Sequence, residues 1–164
     1  MFLIVHASVG AVIGEQIQSP VAAFGAGFLS HFVFDIIPHG DEIIGRTMLK
    51  YGRLKFLVAL AAIDIGASFI LIVIFWASGL LPNVAGAVSG ALGAVLPDIL
   101  AGISTVSKGR LWPGFVRFHN WNHELLGSPT SPLIGAGLQA ITLLFVLLLL
   151  QSAPIVGVLA QKGS

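Results

Sequence analysis

Nine side chains that can ligate a metal ion stand out in a chain that is otherwise poor in polar residues. Only 9% of the 164 residues are charged, whereas 56% are hydrophobic. In a lipid environment an ionisable side chain is costly, so its presence indicates a functional site with partners. The nine residues comprise every histidine and every aspartate of the chain: His6, His31, Asp35, His39, Asp41, Asp64, Asp98, His119 and His123.

Two pairs of these residues have the spacing of neighbours on one helix face. His31 and Asp35 are four residues apart, and so are His119 and His123. Side chains at this spacing are adjacent on a helix, so a nitrogen and an oxygen can bind the same ion. His39 lies eight residues beyond His31, about 12 Å along a continuous helix. It therefore needs either a second ion or a chain that turns back at residues 38–40.

The residue types narrow the chemistry of the site. The chain has no cysteine, so its ligands are nitrogen and oxygen atoms, a set that fits a divalent ion, zinc first, with manganese or iron as alternatives. His119 is followed by Asn120 rather than glutamate, which excludes the zincin protease motif. The predicted metal ligands are His6, His31, Asp35, Asp98, His119 and His123, and the candidates for a general base are His39, Asp41 and Glu124.

The apolar segments that must position these residues are those of an integral membrane protein. The mean hydropathy is +0.98, and long apolar runs alternate with short polar stretches. The sequence predicts an all-α, polytopic single domain with about five transmembrane helices and two polar loops. The helices are expected at about residues 2–18, 21–37, 56–81, 84–103 and 132–150, and the loops at 38–55 and 104–131.

The basic residues predict the orientation. Seven of the eight lysines and arginines fall in the two loops, which the positive-inside rule places in the cytoplasm. The chain is therefore expected in the inner membrane with its N-terminus cytoplasmic, and most of the nine residues then gather at one face. Asp64 is the exception, because it lies about 14 Å beyond Lys55 along its helix, near the middle of the bilayer.

A weak internal duplication supports the same grouping. Residues 21–37 align without gaps onto residues 84–100 with six identities, and the alignment superposes Asp35 on Asp98. If the repeat is real, two parallel helices bring one aspartate each to the same depth. Small residues at Ala23, Gly27, Gly86 and Gly90 are expected to let these helices approach closely.

Several short motifs resemble those of a known family. The run from Gly27 to Asp35 is similar to the Ser-His-Leu-Leu-Leu-Asp signature of the small bacterial membrane-bound metal-dependent hydrolases of the LexA-binding inner-membrane type. His6, the Leu-Pro-Asp-Ile run ending at Ile99, and the pair His119 and His123 resemble that family's other motifs. The family's Asp-x-Asp-His is here Asp-Ile-Leu-Ala. The resemblance implies a membrane-embedded hydrolase fold.

These observations predict a metal-dependent hydrolase that acts at the cytoplasmic membrane face on a phosphoester or lipid-like, amphiphilic substrate. Two alternatives remain open: a cation or proton transporter or channel that depends on Asp64, and a non-catalytic membrane module stabilised by its metal. The expected partners are membrane lipid and the divalent ion, without nucleic acid, and so small a unit is compatible with a homo-oligomer.

Overall fold

The computed structural model describes residues 1–126 and 130–162. These residues form seven helices and no strand. The helices are α1 (Leu3–Glu15), α2 (Pro20–Asp35), α3 (Asp41–Lys50), α4 (Leu54–Ala77), α5 (Val84–Val106), α6 (Pro113–His123) and α7 (Pro132–Lys162). The all-helical class predicted from the sequence is confirmed.

The first two helices form a hairpin whose open end carries part of the site. Ser19 caps α2 by accepting a hydrogen bond from the backbone of Ala22, and Pro20 occupies the first helical turn, where its missing N–H costs nothing. Because α1 runs away from the site and α2 returns to it, the start of α1 and the end of α2 lie together.

Helix α5 packs against both arms of this hairpin through glycine. A Cβ added at Gly90 would collide with the backbone of Gly10 in α1, and one added at Gly27 would collide with the backbone of Gly90. The close approach of α2 and α5 that the small residues predict occurs at this pair. Gly86 packs instead on Gly14 of α1. The contacts of Gly27 with Gly90 and of His31 with Ala94 run in the same direction along both helices, so α2 and α5 are parallel.

Two short helices lie inside the segments that the sequence predicts as polar loops. Helix α3 starts directly after Gly40, whose φ of 75° is in the left-handed region that glycine adopts without strain. Helix α6 starts at Pro113, a residue favoured in a first turn. Both segments lack long apolar runs, which is why hydropathy alone indicates loops. Residues 127–129 of the second predicted loop lie outside the described residues.

Within the part of the chain that the structure describes, three helices are long and apolar enough to cross a membrane: Leu54–Ala77, Val84–Val106 and Pro132–Gln151. Helices α1 and α2 have 13 and 16 residues, fewer than the roughly 17–25 that a crossing needs. Large apolar side chains of α4 are exposed, with Ile63 and Phe69 each 70% accessible, as expected for a surface that faces lipid. The chain is therefore a membrane protein, and five crossings stay a prediction.

Candidate metal centre

Side chains from five helices and one connecting segment converge at the open end of the hairpin. His6 comes from the first helix, His31 and Asp35 from the second, Asp41 from the third, Asp98 from the fifth, and His119 and His123 from the sixth, while His39 lies between α2 and α3. The structure thus brings together all six predicted ligands and two of the three predicted general bases.

Four of these residues form a compact group with the spacing of metal ligands. His31, Asp35, Asp98 and His119 each offer one ligand atom within 4.8 Å of the others. The Nε2 atom of His119 is 3.1 Å from Nε2 of His31 and 3.2 Å from Oδ1 of Asp98, and His31 Nε2 is 2.9 Å from Oδ2 of Asp35. Ligands bound about 2.0–2.1 Å from a tetrahedral ion lie about 3.3 Å apart, so these separations suit one ion.

A backbone hydrogen bond orients the His31 imidazole for ligation. Its Nδ1 atom lies 2.9 Å from the carbonyl oxygen of Ala94 on α5. A carbonyl only accepts, so Nδ1 carries the proton and donates it, which leaves the Nε2 lone pair of the neutral ring facing the group. Histidines that bind metals characteristically donate their other ring N–H in this way. The Gly27–Gly90 approach brings this carbonyl into reach.

A second group shares one residue with the first. Asp35, His39 and His123 also place one ligand atom each within 4.8 Å of the others. His123 Nε2 is 3.1 Å from Asp35 Oδ2, and its Nδ1 is 3.1 Å from His39 Nε2. Asp35, with no exposed side-chain surface, therefore belongs to both groups.

Two further nitrogen atoms contact Asp35, one from His6 of α1 and one from Met1, which precedes that helix. His6 Nε2 lies 2.9 Å from Asp35 Oδ1 and 3.8 Å from Asp98 Oδ2. The ammonium group of Met1 donates to Asp35 Oδ1 at 2.9 Å and lies 3.2 Å from Asp41 Oδ2. These contacts surround the carboxylate with cationic or proton-donating groups on its Oδ1 side. The Oδ2 atom accepts no hydrogen bond.

The centre is closed on most sides and open at one. The side chains of His31 and Asp35 are 0% exposed, whereas those of Asp98 and Asp41 are each 22% exposed. Asp41 and Asp98 line a cavity of about 210 Å³ beneath α3. Asp98 also borders a cavity of about 700 Å³ between α4 and α5, whose other walls are almost entirely apolar.

The protonation state of His123 favours ligation. Burial lowers the pKa of this imidazole from 6.5 to about 4, although the charge of Asp35 opposes the shift. The ring is therefore neutral at pH 7. A neutral imidazole is the form that binds metals.

Asp64, the residue of the transport alternative, has a structural partner. Its Oδ2 atom accepts a hydrogen bond from the backbone of Leu3 at 2.6 Å, and its Oδ1 accepts one from Ile4 at 3.1 Å. Helix α1 has no side-chain cap of its own, so Asp64 satisfies two of its orphan N–H groups from the neighbouring helix. Asp64 belongs to neither ligand group.

Glu124, the third predicted general base, lies away from the centre. Its side chain is 62% exposed and contacts Arg46 of α3 at 3.1 Å. Although it follows His123 directly, the helix ends there and the side chain points to the surface. Position next to a ligand in the sequence is therefore not sufficient to place a residue in the site.

Two amides that the sequence does not single out hold the centre together. Gln139 of α7 accepts a hydrogen bond from the backbone of Phe2 at 2.7 Å and donates one to the carbonyl oxygen of His39 at 3.2 Å. Asn122 of α6 donates to the carbonyl oxygen of Phe32 at 2.8 Å. Both are polar residues within apolar or aromatic segments, which is the signal that could have found them.

No family model matches the sequence, and no curated protein or solved structure matches the chain. The family resemblance of the short motifs therefore stays a prediction, and the assignment below depends on the geometry of the site.

Proposed function

We propose that this chain is a metal-dependent hydrolase of the inner membrane, which acts at the cytoplasmic face on an amphiphilic phosphoester or lipid-like substrate. The observation that carries the proposal is the opening of the four-ligand group at Asp98. A structural zinc site is closed by four protein ligands, whereas a catalytic site keeps one position accessible to water and substrate. Here the predicted ligands His31 and Asp35 lie on the buried side of the group, and Asp98 borders the two cavities.

The ligands suit a divalent ion, with zinc preferred and manganese or iron as alternatives. When bound, such an ion lowers the pKa of a coordinated water towards about 7 and polarises the bond to be hydrolysed. Three of the four residues His31, Asp35, Asp98 and His119 would hold it, which would leave one position for water or substrate. Asp41 is the preferred general base, because its side chain is partly exposed and lines the same cavity as Asp98.

The apolar cavities support a substrate with a hydrocarbon chain. The 700 Å³ cavity runs between α4 and α5 from Asp98 along Ile65 and Ile99, and a second cavity of about 370 Å³ continues past the same two residues toward Val84. The fourteen residue-to-residue steps from Val84 to Asp98 span about 21 Å of helix. One leaflet of a ~30 Å hydrocarbon core is about 15 Å deep. The two cavities together are therefore long enough to hold the hydrocarbon chain of a lipid-like substrate.

Basic residues near the same end of the bundle supply a surface for an anionic headgroup. Arg46 lies on α3 and Arg53 precedes α4, while Lys108 follows α5 and Arg117 lies on α6. Their position is the reason for assigning this end to the cytoplasm with the N-terminus inside. Such residues also bind anionic lipid, which would bring the substrate to the cavity mouth.

The test is the metal content of the detergent-purified chain, measured by mass spectrometry after reconstitution with zinc, manganese or iron. The parent is compared with His31→Ala and Asp98→Asn, and Glu124→Gln serves as a control because it changes an exposed carboxylate beside His123. We expect the parent and the control to hold metal, and the two ligand variants to lose it.

The same preparations are then screened with phosphoester and carboxylic ester substrates. We expect Asp98→Asn to lower hydrolysis by more than the 10–100-fold that is typical for removal of an outer-shell partner. A parent that binds none of the three metals would refute the proposal. So would a parent whose hydrolysis is unchanged in both ligand variants.

A further inference from the structure

Helix α6 carries three strips of side chains, and the metal centre uses one of them. Successive residues of an α-helix are about 100° apart around its axis, so residues three and four apart lie on the same side. The inner strip, which faces the bundle, consists of His119, Asn122 and His123. The rest of the helix surface is divided between an apolar strip and a polar strip, neither of which contributes to the centre.

The apolar strip consists of Phe118, Trp121 and Leu125, the last of which follows in the turn directly after the helix. All three side chains are exposed, with Phe118 and Trp121 47% and 56% accessible. The ring centroids of Phe118 and Trp121 are 5.9 Å apart, so the two rings form one continuous surface. Adjacent, exposed, large apolar side chains mark a surface that a partner covers.

The apolar strip continues the apolar surface of the bundle. The ring of Phe118 lies 5.1 Å from that of Phe32 on α2, and the Phe32 ring lies 5.4 Å from that of Phe28, one turn earlier on the same helix. With Trp121, these rings form a row of four that runs from an apolar helix onto α6. A soluble protein docked on α6 would cover only one end of the row, whereas lipid can cover its whole length.

The polar strip lies on the other exposed side of α6 and consists of Arg117, Asn120 and Glu124. Glu124 contacts Arg46 of α3, and both side chains are more than 60% exposed, so this side faces water. Lysine and arginine outnumber acidic residues three to one in residues 107–126. Aromatic residues and leucine on one side with basic residues on the other are typical of a helix that lies in the membrane interface.

The neighbours of α6 in the chain place it at a membrane surface. Helices α5 and α7 are both long and apolar enough to cross a membrane, so the segment between them leaves and re-enters the bilayer at one face. Tryptophan is enriched at this depth, because its ring is apolar and its N–H group needs a polar partner.

We infer that α6 binds the lipid surface of the membrane. Its apolar strip would lie at the boundary between headgroups and acyl chains, and its basic residues would bind anionic headgroups. The inference goes beyond the proposed function, because it holds whether or not the chain hydrolyses a substrate.

The experiment measures how bromine atoms on lipid chains quench the fluorescence of single tryptophans in the chain, reconstituted in vesicles of phosphatidylcholine and phosphatidylglycerol. The variant Trp76→Phe with Trp112→Phe keeps only Trp121 of the three tryptophans. The matched control, Trp112→Phe with Trp121→Phe, keeps only Trp76, which lies on the membrane-spanning α4 and is also 56% accessible. Phenylalanine preserves an aromatic side chain at each substituted position.

We expect bromine near the headgroup end of the lipid chain to quench Trp121 about as strongly as Trp76, and acrylamide, a quencher dissolved in the water, to quench Trp121 weakly. Strong quenching of Trp121 by acrylamide but not by brominated lipid would overturn the inference, since the strip would then face water. Quenching of Trp76 by brominated lipid, with Trp121 reached by neither quencher, would also overturn it, because protein such as a second copy of the chain would then cover the strip.

The headgroup is tested by moving the bromine from one lipid to the other in the same vesicles. Brominated phosphatidylglycerol should quench Trp121 more than brominated phosphatidylcholine at an equal mole fraction, because one basic residue enriches anionic lipid about fivefold beside it. Arg117→Gln should reduce this difference, and Asn120→Gln, on the same polar strip, should leave it unchanged. Equal quenching by the two lipids would overturn the assignment of an anionic partner.

Discussion

Substitution of Asp64 separates its role as a helix cap from a role in transport. The carboxylate lies within a membrane-spanning helix and accepts hydrogen bonds from the backbone N–H groups of Leu3 and Ile4 at 2.6 and 3.1 Å. Asp64→Asn keeps one side-chain oxygen that can accept a hydrogen bond and removes the negative charge. Asp64→Ala removes both acceptors. The two variants therefore differ in capping but not in charge.

The magnitudes follow from the two donors. An N–H group left without a partner away from water costs about 1–3 kcal/mol, so Asp64→Ala should destabilise the fold by about 2–6 kcal/mol. Asp64→Asn loses one of the two hydrogen bonds and the interaction of a charge with the helix dipole, which is worth about 0.3–1 kcal/mol. Its cost should be about 1–4 kcal/mol in all.

The assay is thermal unfolding in detergent, followed by metal content and cation flux in liposomes. We expect Asp64→Ala to unfold at a clearly lower temperature than Asp64→Asn, and the Asn variant to bind as much metal as the parent. Equal unfolding temperatures for the Ala variant and the parent would refute the capping argument. A parent flux that Asp64→Asn abolishes would refute the hydrolase assignment in favour of transport.

Three further outcomes are expected from the packing and the metal. Gly90→Ala should destabilise the fold by more than about 1–3 kcal/mol in denaturation measurements, because the new methyl group collides with backbone. The control is Gly25→Ala, where a Cβ meets open space. This variant should be more stable than the parent by up to about 1 kcal/mol because alanine has the higher helix propensity. Gly135→Ala should displace the His39 carbonyl and lower the unfolding temperature in detergent, and Gly137→Ala, which meets nothing, should leave that temperature unchanged. Removal of the metal by a chelator should lower the free energy of unfolding of the parent by about 4.1 kcal/mol, relative to a sample with metal at 1,000 times its dissociation constant. An unchanged free energy of unfolding would contradict a metal bound to the folded state.

Much of the fold follows from the composition, but the short helices do not. The apolar runs predict α4, α5 and the start of α7 within a few residues, because lipid-facing helices need long uninterrupted hydrophobic segments. Helices α3 and α6 have no such signal, since their length and polarity are those of ordinary loops. Their positions depend on contacts with α2, α5 and α7 that no local pattern encodes.

The residues of the centre could be listed from the sequence, although their partners could not. Rarity of polar residues in an apolar chain was enough to find the histidines and aspartates. The same rarity does not distinguish the residues of the centre from Asp64, which caps α1, or from Glu124, which lies at the surface with Arg46. Those distinctions depend on which neighbouring helix supplies the partner, and both partners, Leu3 for Asp64 and Arg46 for Glu124, are distant in the sequence.

The position of His39 shows how the two possibilities left open by its spacing fit together. Along a straight helix it would lie about 12 Å from His31, so either the chain bends or a second ion is present. In the structure α2 ends at Asp35 and the chain turns at Gly40, which brings His39 Nε2 to 4.0 Å from Asp35 Oδ1. The bend does not bring His39 into the group of His31, Asp98 and His119, and it places the ring on the other side of Asp35 with His123. The bend therefore explains why His39 lies beside Asp35 and His123 although its distance along the chain from His31 is too long for a shared helix face.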